Sequence, residues 1–290
     1  MNSKFTWIFL IILLILGGVW GFNSWQNAKE KETIAAQTKL IDSFFVEAVT
    51  EIKIKILEKE TILKKTDNAW QVDSFPADGL AVQSLLSQIG SAEILSTVSY
   101  TSERFAQFGL DEASRTVLTI ISDTADYQFN LGQGGGLMNT IYLNREGDSQ
   151  IYLIKGINIT SLSQDWQDKI IVQIPMNSIS SLEFDYLNGK NFQLIKKNEE
   201  WKIGDKAVQV EKVNPILNIL TNLIADSVPG QNQDLKPLLT LKITVIDAQE
   251  QIVISQPNEE KNYLIQKDNR YYLISETKIK ELLREAKDFE

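Results

Sequence analysis

A pattern that occurs twice constrains this chain more than any other feature. Residues 49–73, VTEIKIKILEKETILKKTDNAWQVD, and residues 179–205, ISSLEFDYLNGKNFQLIKKNEEWKIGD, carry the same series. Each opens on an alternating segment: Ile52, Ile54 and Ile56 in one copy, and Leu182, Phe184 and Tyr186 in the other, with charged residues between. Side chains on a strand alternate between faces, so this is the pattern of a half-buried strand. A polar turn follows, EKE or NGK, the second carrying the Asn-Gly hairpin signal. Each copy then has a strand ending in a Lys-Lys pair, another polar turn, and Trp70 or Trp201 in a third strand.

The correspondence continues along the chain. Val82, Leu85, Leu86 and Ile89 match Val213, Ile216, Leu217 and Leu220 at a constant offset of 131 residues, and both sets have the i, i+3, i+4, i+7 spacing of an amphipathic helix. TVLTIIS (116–122) parallels KITVIDA (242–248), YQFNLG (127–132) parallels QIVIS (251–255), and hairpin patterns at 141–155 and 262–275 close the series. Closing helices are expected at 157–167 and 276–287. A strand-turn-strand-Trp-helix series in one order, twice, indicates an internal duplication. The fold class read from these patterns is α+β: an N-terminal transmembrane helix, then two tandem copies of a mainly antiparallel sheet-plus-helix unit. The expected divisions are 1–25 anchor, 26–47 helical stalk, 48–174 first unit and 175–290 second unit. The stalk follows from Ile34, Thr38, Ile41 and Phe45, which share one helical face.

The anchor rests on residues 5–22, FTWIFLIILLILGGVWGF, which contain no charge. As a helix this run spans roughly 27 Å, close to a hydrocarbon core of about 30 Å. Trp7, Trp20 and Trp25 stand near its ends, where indoles favour the headgroup zone. No small-x-small cleavage pattern follows closely, so the segment reads as an uncleaved anchor contacting membrane lipid. Lys4 on one side and Lys29, Lys31 and Lys39 on the other leave the charge rule for orientation indecisive. The expectation is a single-pass protein of the bacterial cytoplasmic membrane with an extracytoplasmic C-terminal body.

Composition removes several chemistries. The chain has no histidine and no cysteine, which excludes Cys-His zinc sites, Ser-His-Asp triads, thiol nucleophiles and disulfides. Its formal net charge of −9 opposes nucleic-acid phosphates. The stretch LGQGGGLMNTIYL, with glycines at 132 and 134–136, resembles a phosphate loop only in composition. No lysine follows until Lys155, and MNTIYLN reads as a strand rather than the helix whose N-terminus attracts anions. No nucleotide, cofactor or metal site is expected. The equivalent stretch of copy two, SQPNEEKN (255–262), has no glycine, so the glycines belong to copy one alone.

Five residues are candidates for partner contact. Trp70 and Trp201 read either as exposed platforms or as packing residues of duplicated strands. Phe105, Phe108 and Leu110 lie in YTSERFAQFGLDEASR (100–115), which copy two replaces with the shorter PGQNQDLKPLL. That segment reads as a partner contact or as a packed connection. The acid pairs Asp123/Asp126 and Glu199/Glu200 sit in expected turns, so no catalytic residue is assigned.

Several of these stretches together resemble the bacterial domain of unknown function 4340 family. The resemblance rests on ILKKTDNAWQVD followed by PADGLAVQSLLSQIGSAE, on FAQFGLDEASRTVLTI, on YQFNLGQGGGLMNTIYL and on LSQDWQDKIIVQI. It covers most of residues 40–290, with Phe108 where the family usually has Tyr and Ala113 near a usual Pro. The resemblance implies a membrane-anchored protein with an extracytoplasmic body, often associated with gliding-motility-type ABC transport systems. The expected role is therefore a non-enzymatic scaffold that contacts ABC transporter subunits. A module binding envelope glycans or peptides is the alternative, and a hydrolase using carboxylates alone is a third.

Overall fold

The computed structural model describes residues 38–73, 75–230, 233–246 and 248–289. The chain divides between Gln167 and Asp168 into two compact units. The first unit opens with β1 (Thr38–Lys39). A meander follows of β2 (Val49–Ile56), β3 (Lys59–Thr66), β4 (Ala69–Val72) and β5 (Phe75–Pro76). Helix α1 (Gly79–Ser91) leads to β6 (Glu93–Ser99), and β7 (Thr116–Ser122), β8 (Tyr127–Gly134), β9 (Thr140–Arg145) and β10 (Ile151–Lys155) complete the unit. All ten strands form one antiparallel sheet in the order β1-β6-β10-β9-β8-β7-β2-β3-β4-β5.

The alternating residues explain this arrangement. Ile52 and Ile54 of β2 stand opposite Ile120 and Leu118 of β7, and all four are buried on one face. Helix α1 covers that face. Asp78 caps it by accepting hydrogen bonds from the amides of Leu80 and Ala81, each at 3.0 Å, two donors with no acceptor inside the helix. Val82, Leu85, Leu86 and Ile89 form its buried stripe and join the sheet residues in one core. Each of these aliphatic side chains contributes about 1.5–3 kcal/mol when fully buried.

The second unit repeats the design. It runs through β11 (Ile170–Val172), β12 (Ile179–Tyr186), β13 (Phe192–Lys197), β14 (Glu200–Ile203), β15 (Lys206–Val208), helix α2 (Val210–Thr221) and β16 (Leu223–Ile224). Then come β17 (Pro237–Val245), β18 (Gln249–Ser255), β19 (Asn262–Lys267) and β20 (Arg270–Ser275). Eight strands form a sheet in the order β15-β14-β13-β12-β17-β18-β19-β20, which is the order β5-β4-β3-β2-β7-β8-β9-β10 of the first unit. Leu182 and Phe184 stand opposite Ile243 and Leu241, as Ile52 and Ile54 stand opposite Ile120 and Leu118. Helix α2 buries Val213, Ile216, Leu217 and Leu220.

The α+β assignment is corrected by this architecture, which is mainly antiparallel β: among the described residues, sheets of ten, two and eight strands. Among the described residues the α-helices are α1, α2 and the single turn α3 (Glu276–Ile279). The transmembrane helix expected at 5–22 lies outside the described residues, and no described helix is long and apolar enough to cross a membrane. The closing helices are also corrected. Residues 157–167 contain one 3-10 segment, Ile159–Ser163, and 276–289 break into α3 and two 3-10 segments. Tertiary bonds cause the second break: the Tyr186 hydroxyl donates to the Arg284 carbonyl at 2.8 Å, and Arg284 Nη1 donates to the Lys212 carbonyl at 2.8 Å. The backbone at Arg284 is extended as a result. Burial, with nearby Glu285 and Asp288, raises the Tyr186 hydroxyl above the ordinary phenol range, so it remains a donor.

The expected helical stalk ends differently where it is described. Thr38 and Lys39 pair with Ile94 and Glu93, and Leu40 and Ile41, adjacent in sequence, are both buried. Two consecutive buried residues beside a strand pair do not fit the helical face read from Ile34, Thr38, Ile41 and Phe45, and Phe45 is exposed. The second unit has the same lead-in: Ile170 pairs with Ile224 as Lys39 pairs with Glu93.

Asp226 ties the closing segment to the edge of the second sheet. Its Oδ1 meets Lys278 Nζ at 2.7 Å and its Oδ2 accepts from the Ser275 amide at 2.8 Å. The Lys278 hydrogen bond is the main cause that lowers the Asp226 carboxyl below its ordinary value, against burial, with the Ser275 bonds adding to it. A carboxyl with a lowered folded-state pKa stabilises the fold above its unfolded value, about 3.9, and loses that contribution as pH falls through the folded value. Urea unfolding of the native protein and of Asp226→Asn should therefore differ most above about pH 5. The two curves should converge in stronger acid, and a gap independent of pH would show that the carboxylate's charge is not what stabilises this edge.

Candidate functional site

The five residues proposed for partner contact fall into three places. Trp201 is buried in the core of the second unit. Trp70 is half-buried at the margin of the first core, where its carbonyl accepts from the Ala77 amide at 2.9 Å. Phe108 and Leu110 are buried with Ile151 in a separate small cluster, and half-buried Phe105 packs against it with Val98 and Tyr142. Phe108 meets the Tyr142 ring edge-on at 4.6 Å, and the Arg104 guanidinium lies 5.2 Å from the Phe108 ring centre. Of the five, then, the structure brings together only Phe105, Phe108 and Leu110, and it uses them for internal packing.

Those three belong to a cover that, among the described residues, only the first unit has. The 3-10 segment Ser102–Phe108 begins where Thr101 accepts from the Glu103 amide, and it ends at Gly109 in the left-handed conformation, φ 69°. This cover lies directly on the glycine stretch. A Cβ placed on Gly132 would stand 2.2 Å from the Phe108 carbonyl oxygen, and one on Gly109 would stand 3.0 Å from the Gln133 nitrogen. Gln133 Nε2 donates to the Gln107 carbonyl at 2.8 Å. A Cβ on Gly135 would meet side chains instead, Leu153 Cδ1 at 2.2 Å and Thr140 Oγ1 at 2.8 Å, and one on Gly134 would meet only the Thr140 oxygen at 3.9 Å. Glycine is required where backbone must approach backbone this closely. The second unit has Ser255 in place of Gly132 and a different connection in place of the cover; its Ser255 Oγ accepts from the Leu264 amide at 2.9 Å. The two features peculiar to copy one are thus a single packing device.

Each unit has an open cavity at the same place in its sheet. In the first, about 710 Å³ is lined by Leu40, Ile41, Asp42, Tyr127, Arg145 and Glu146, among others. In the second, about 630 Å³ is lined by Gln249, Glu250, Gln251, Val253, Gln266, Lys267 and Asp268. Asn130 faces Asn144 across the sheet as Val253 faces Gln266, so Arg145 and Lys267 hold equivalent positions. Both reach back to the lead-in chain. Arg145 Nη2 donates to the Leu40 carbonyl at 2.9 Å, and Lys267 Nζ donates to the Ile171 carbonyl at 2.9 Å. Their surroundings differ: Lys267 also pairs with Glu250 at 2.6 Å, while Tyr127 stands at the Glu250 position in unit one. Arg145 instead lies 5.6 Å from the Tyr152 ring centre. Burial, then the hydrogen bond and charge of Asp148, raise the Tyr152 hydroxyl. Sequence reading missed this repeated basic position, because a lone Arg or Lys at a strand end looks like a solvated residue until its register is known.

The acid pairs lie at hairpin ends: Asp123 and Asp126 stand between β7 and β8, Glu199 is in the turn before β14, and Glu200, expected in that turn, is the first residue of β14. Asp126 accepts weakly from the Ser122 amide at 3.4 Å and lines the first cavity. Glu199 pairs with Lys196 at 2.7 Å, and Glu200 lies 3.6 Å from Lys202. Among the described residues, no three His, Cys, Asp or Glu side chains are grouped to hold a metal ion.

What the fold and these sites define is a duplicated antiparallel sheet protein with an added cover on one copy. A family model described as Domain of unknown function (DUF4340) matches residues 70–243, more than half the chain and parts of both units. The chain belongs to that family. Comparison with curated proteins returned no match, and comparison with solved structures returned none.

Replacing Gly132 with Ala should force the cover away from the sheet, at a cost of about 1–3 kcal/mol, the range for overpacking. Gly134→Ala should change stability by less than about 0.5 kcal/mol. Equal unfolding midpoints for the two variants would remove the close approach as the reason for the glycine stretch.

Proposed function

We propose that this protein is a non-enzymatic extracytoplasmic scaffold, an accessory component of an envelope-associated ABC transport system that contacts transporter subunits. Its placement at the bacterial cytoplasmic membrane belongs to the same proposal and rests on the composition of residues 5–22. Neither nucleic acid nor nucleotide is a partner in this reading.

The observation that carries a contact role is Leu57. It stands at the tip of the β2–β3 hairpin with φ 55°, a left-handed backbone that bulky residues adopt at a cost, and it is 63% exposed. Neither burial nor backbone preference accounts for a leucine there. Strain of this kind persists where it serves a function. The matching hairpin of the second unit also presents a leucine, Leu187, 74% exposed, but there Gly189 takes the positive φ of 80°. Exposed leucines at the same hairpin of both copies suit contact with another protein.

A module for envelope peptides or glycans is the second reading. The cavity beside Tyr127 favours it, since an aromatic wall with polar groups near it can hold such ligands.

Leu57→Gly separates folding from contact. Glycine relieves the left-handed strain, so thermal stability should hold or rise slightly. Recovery of transporter permease and ATPase subunits in affinity purification from gently solubilised membranes should fall at least several-fold. Native protein recovered without any transporter subunit would overturn the transport reading. Full recovery with the glycine variant would overturn the role of Leu57.

A further inference from the structure

The first unit has another open cavity, of about 630 Å³, beside the tip of the β2–β3 hairpin. Lys55, Leu57 and Glu58 line it from the hairpin, and Glu112, Ala113, Arg115 and Val117 line it from the chain entering β7. Lys55 stands opposite Val117, next to the pair of Ile54 with Leu118, so it lies on the face turned away from helix α1. Arg115 precedes Val117 by two residues and reaches the same cavity.

Arg115 is the exception among the five arginines of the chain. Arg104 donates to Gln107, Arg145 to the Leu40 carbonyl, Arg270 to the Tyr272 hydroxyl and Arg284 to the Lys212 carbonyl. The half-buried Arg115 side chain has no hydrogen bond, ion pair or ring contact among the described residues. Lys55, Glu58 and Glu112, all exposed, also lack an ion pair there. A guanidinium that has lost part of its hydration without gaining an acceptor is stabilised by any carboxylate brought to it.

The second unit shows that the scaffold does not need these charges. Leu118 and Leu241 hold equivalent positions opposite Ile54 and Phe184, which puts Asp185 where Lys55 stands and Leu238 where Arg115 stands. Glu112, Ala113 and Arg115 also belong to the connection 100–115, which copy two replaces with a shorter one. The aromatic half of that connection packs inward as the cover, and its remaining end faces the cavity beside the strained, exposed Leu57.

We propose that this cavity docks an extended segment of a partner protein that presents an apolar side chain between an acidic and a basic one. The acid pairs with the Arg115 guanidinium, with Lys55 beside it. The apolar side chain rests on Leu57, Ala113 and Val117, and the base meets the exposed Glu58 and Glu112. Guanidinium binds carboxylate through parallel hydrogen bonds, so Arg115 sets the register of the segment. Unpaired charges of both signs in one cavity select a peptide of mixed charge over a purely anionic surface. The inference rests on the contact role proposed for Leu57 and adds the chemistry of what Leu57 meets.

Full-length protein in detergent micelles, labelled with nitrogen-15 at arginine, gives one Nε signal per arginine, and Arg115→Gln identifies that of residue 115. The probe is the acetylated, amidated peptide Lys-Ser-Leu-Asp. It should shift the Arg115 signal saturably and leave those of Arg145, Arg270 and Arg284 in place. Asn in place of the peptide's Asp should weaken binding at least about tenfold, as loss of a charge-assisted hydrogen bond does. Lys55→Glu, a change at an exposed strand position, should weaken the same titration several-fold without moving the thermal midpoint. No saturable shift, or an equal response to the Asn peptide or to inorganic phosphate, would overturn the proposal. In affinity purification, Arg115→Gln should lower recovery of transporter subunits as Leu57→Gly does, and Arg115→Lys should keep part of it. Full recovery with Arg115→Gln but not with Leu57→Gly would sink this site and leave the transport reading standing. Saturable peptide binding with no transporter subunit recovered would do the reverse.

Discussion

The pairing of the opening strand with the strand that follows the helix governs each unit. β2 against β7, and β12 against β17, place Ile52, Ile54, Leu118 and Ile120, or Leu182, Phe184, Leu241 and Ile243, on a single face. That face must be covered, and one helix stripe of four aliphatic residues covers it. A shift of one residue in this register would turn every one of these side chains to the opposite face. The remaining strands extend from this seam in the same order in both units.

On this shared frame the copies have diverged where the seam is indifferent. The outer face of the first sheet carries the cover with Phe108 and Leu110, and Gly132 lets the two backbones meet. The second sheet keeps Ser255 at that position and has no such cover among its described residues. The position of Arg145 and Lys267 keeps its basic character and its carbonyl target in both, yet Glu250 neutralises only the second. Even the first hairpin differs, with Leu57 in the left-handed conformation in one copy and Gly189 in the other. Such differences lie at turns and outer faces, where a substitution leaves the core intact.

The parts of this architecture that could be read from residues alone are those specified locally. Strand alternation and the helical stripe depend on neighbours within a few positions, so Ile52, Ile54 and the Val82 to Ile89 set could be named without coordinates. The closing segments could not. Their apolar residues fit a helix, but the Tyr186 hydroxyl takes the Arg284 carbonyl and the backbone departs from helix there. Likewise the lead-in at 38–41 looked helical, because the partners that make it a strand and bury it lie some fifty and a hundred residues further on, at Glu93 and Arg145. Trp201 and Leu110 were read both as contact residues and as packing residues, and only the structure shows them buried.

By itself the sequence determined the duplication, the seam residues and the exclusion of histidine and cysteine chemistry, because each follows from residue type and short-range period. Tertiary structure alone decided that the glycine stretch serves a packed cover, that Arg145 and Lys267 occupy one repeated position, and that Leu57 is strained and exposed. Each of those depends on distances between residues far apart in the chain, where backbone approach and register cannot be inferred from spacing.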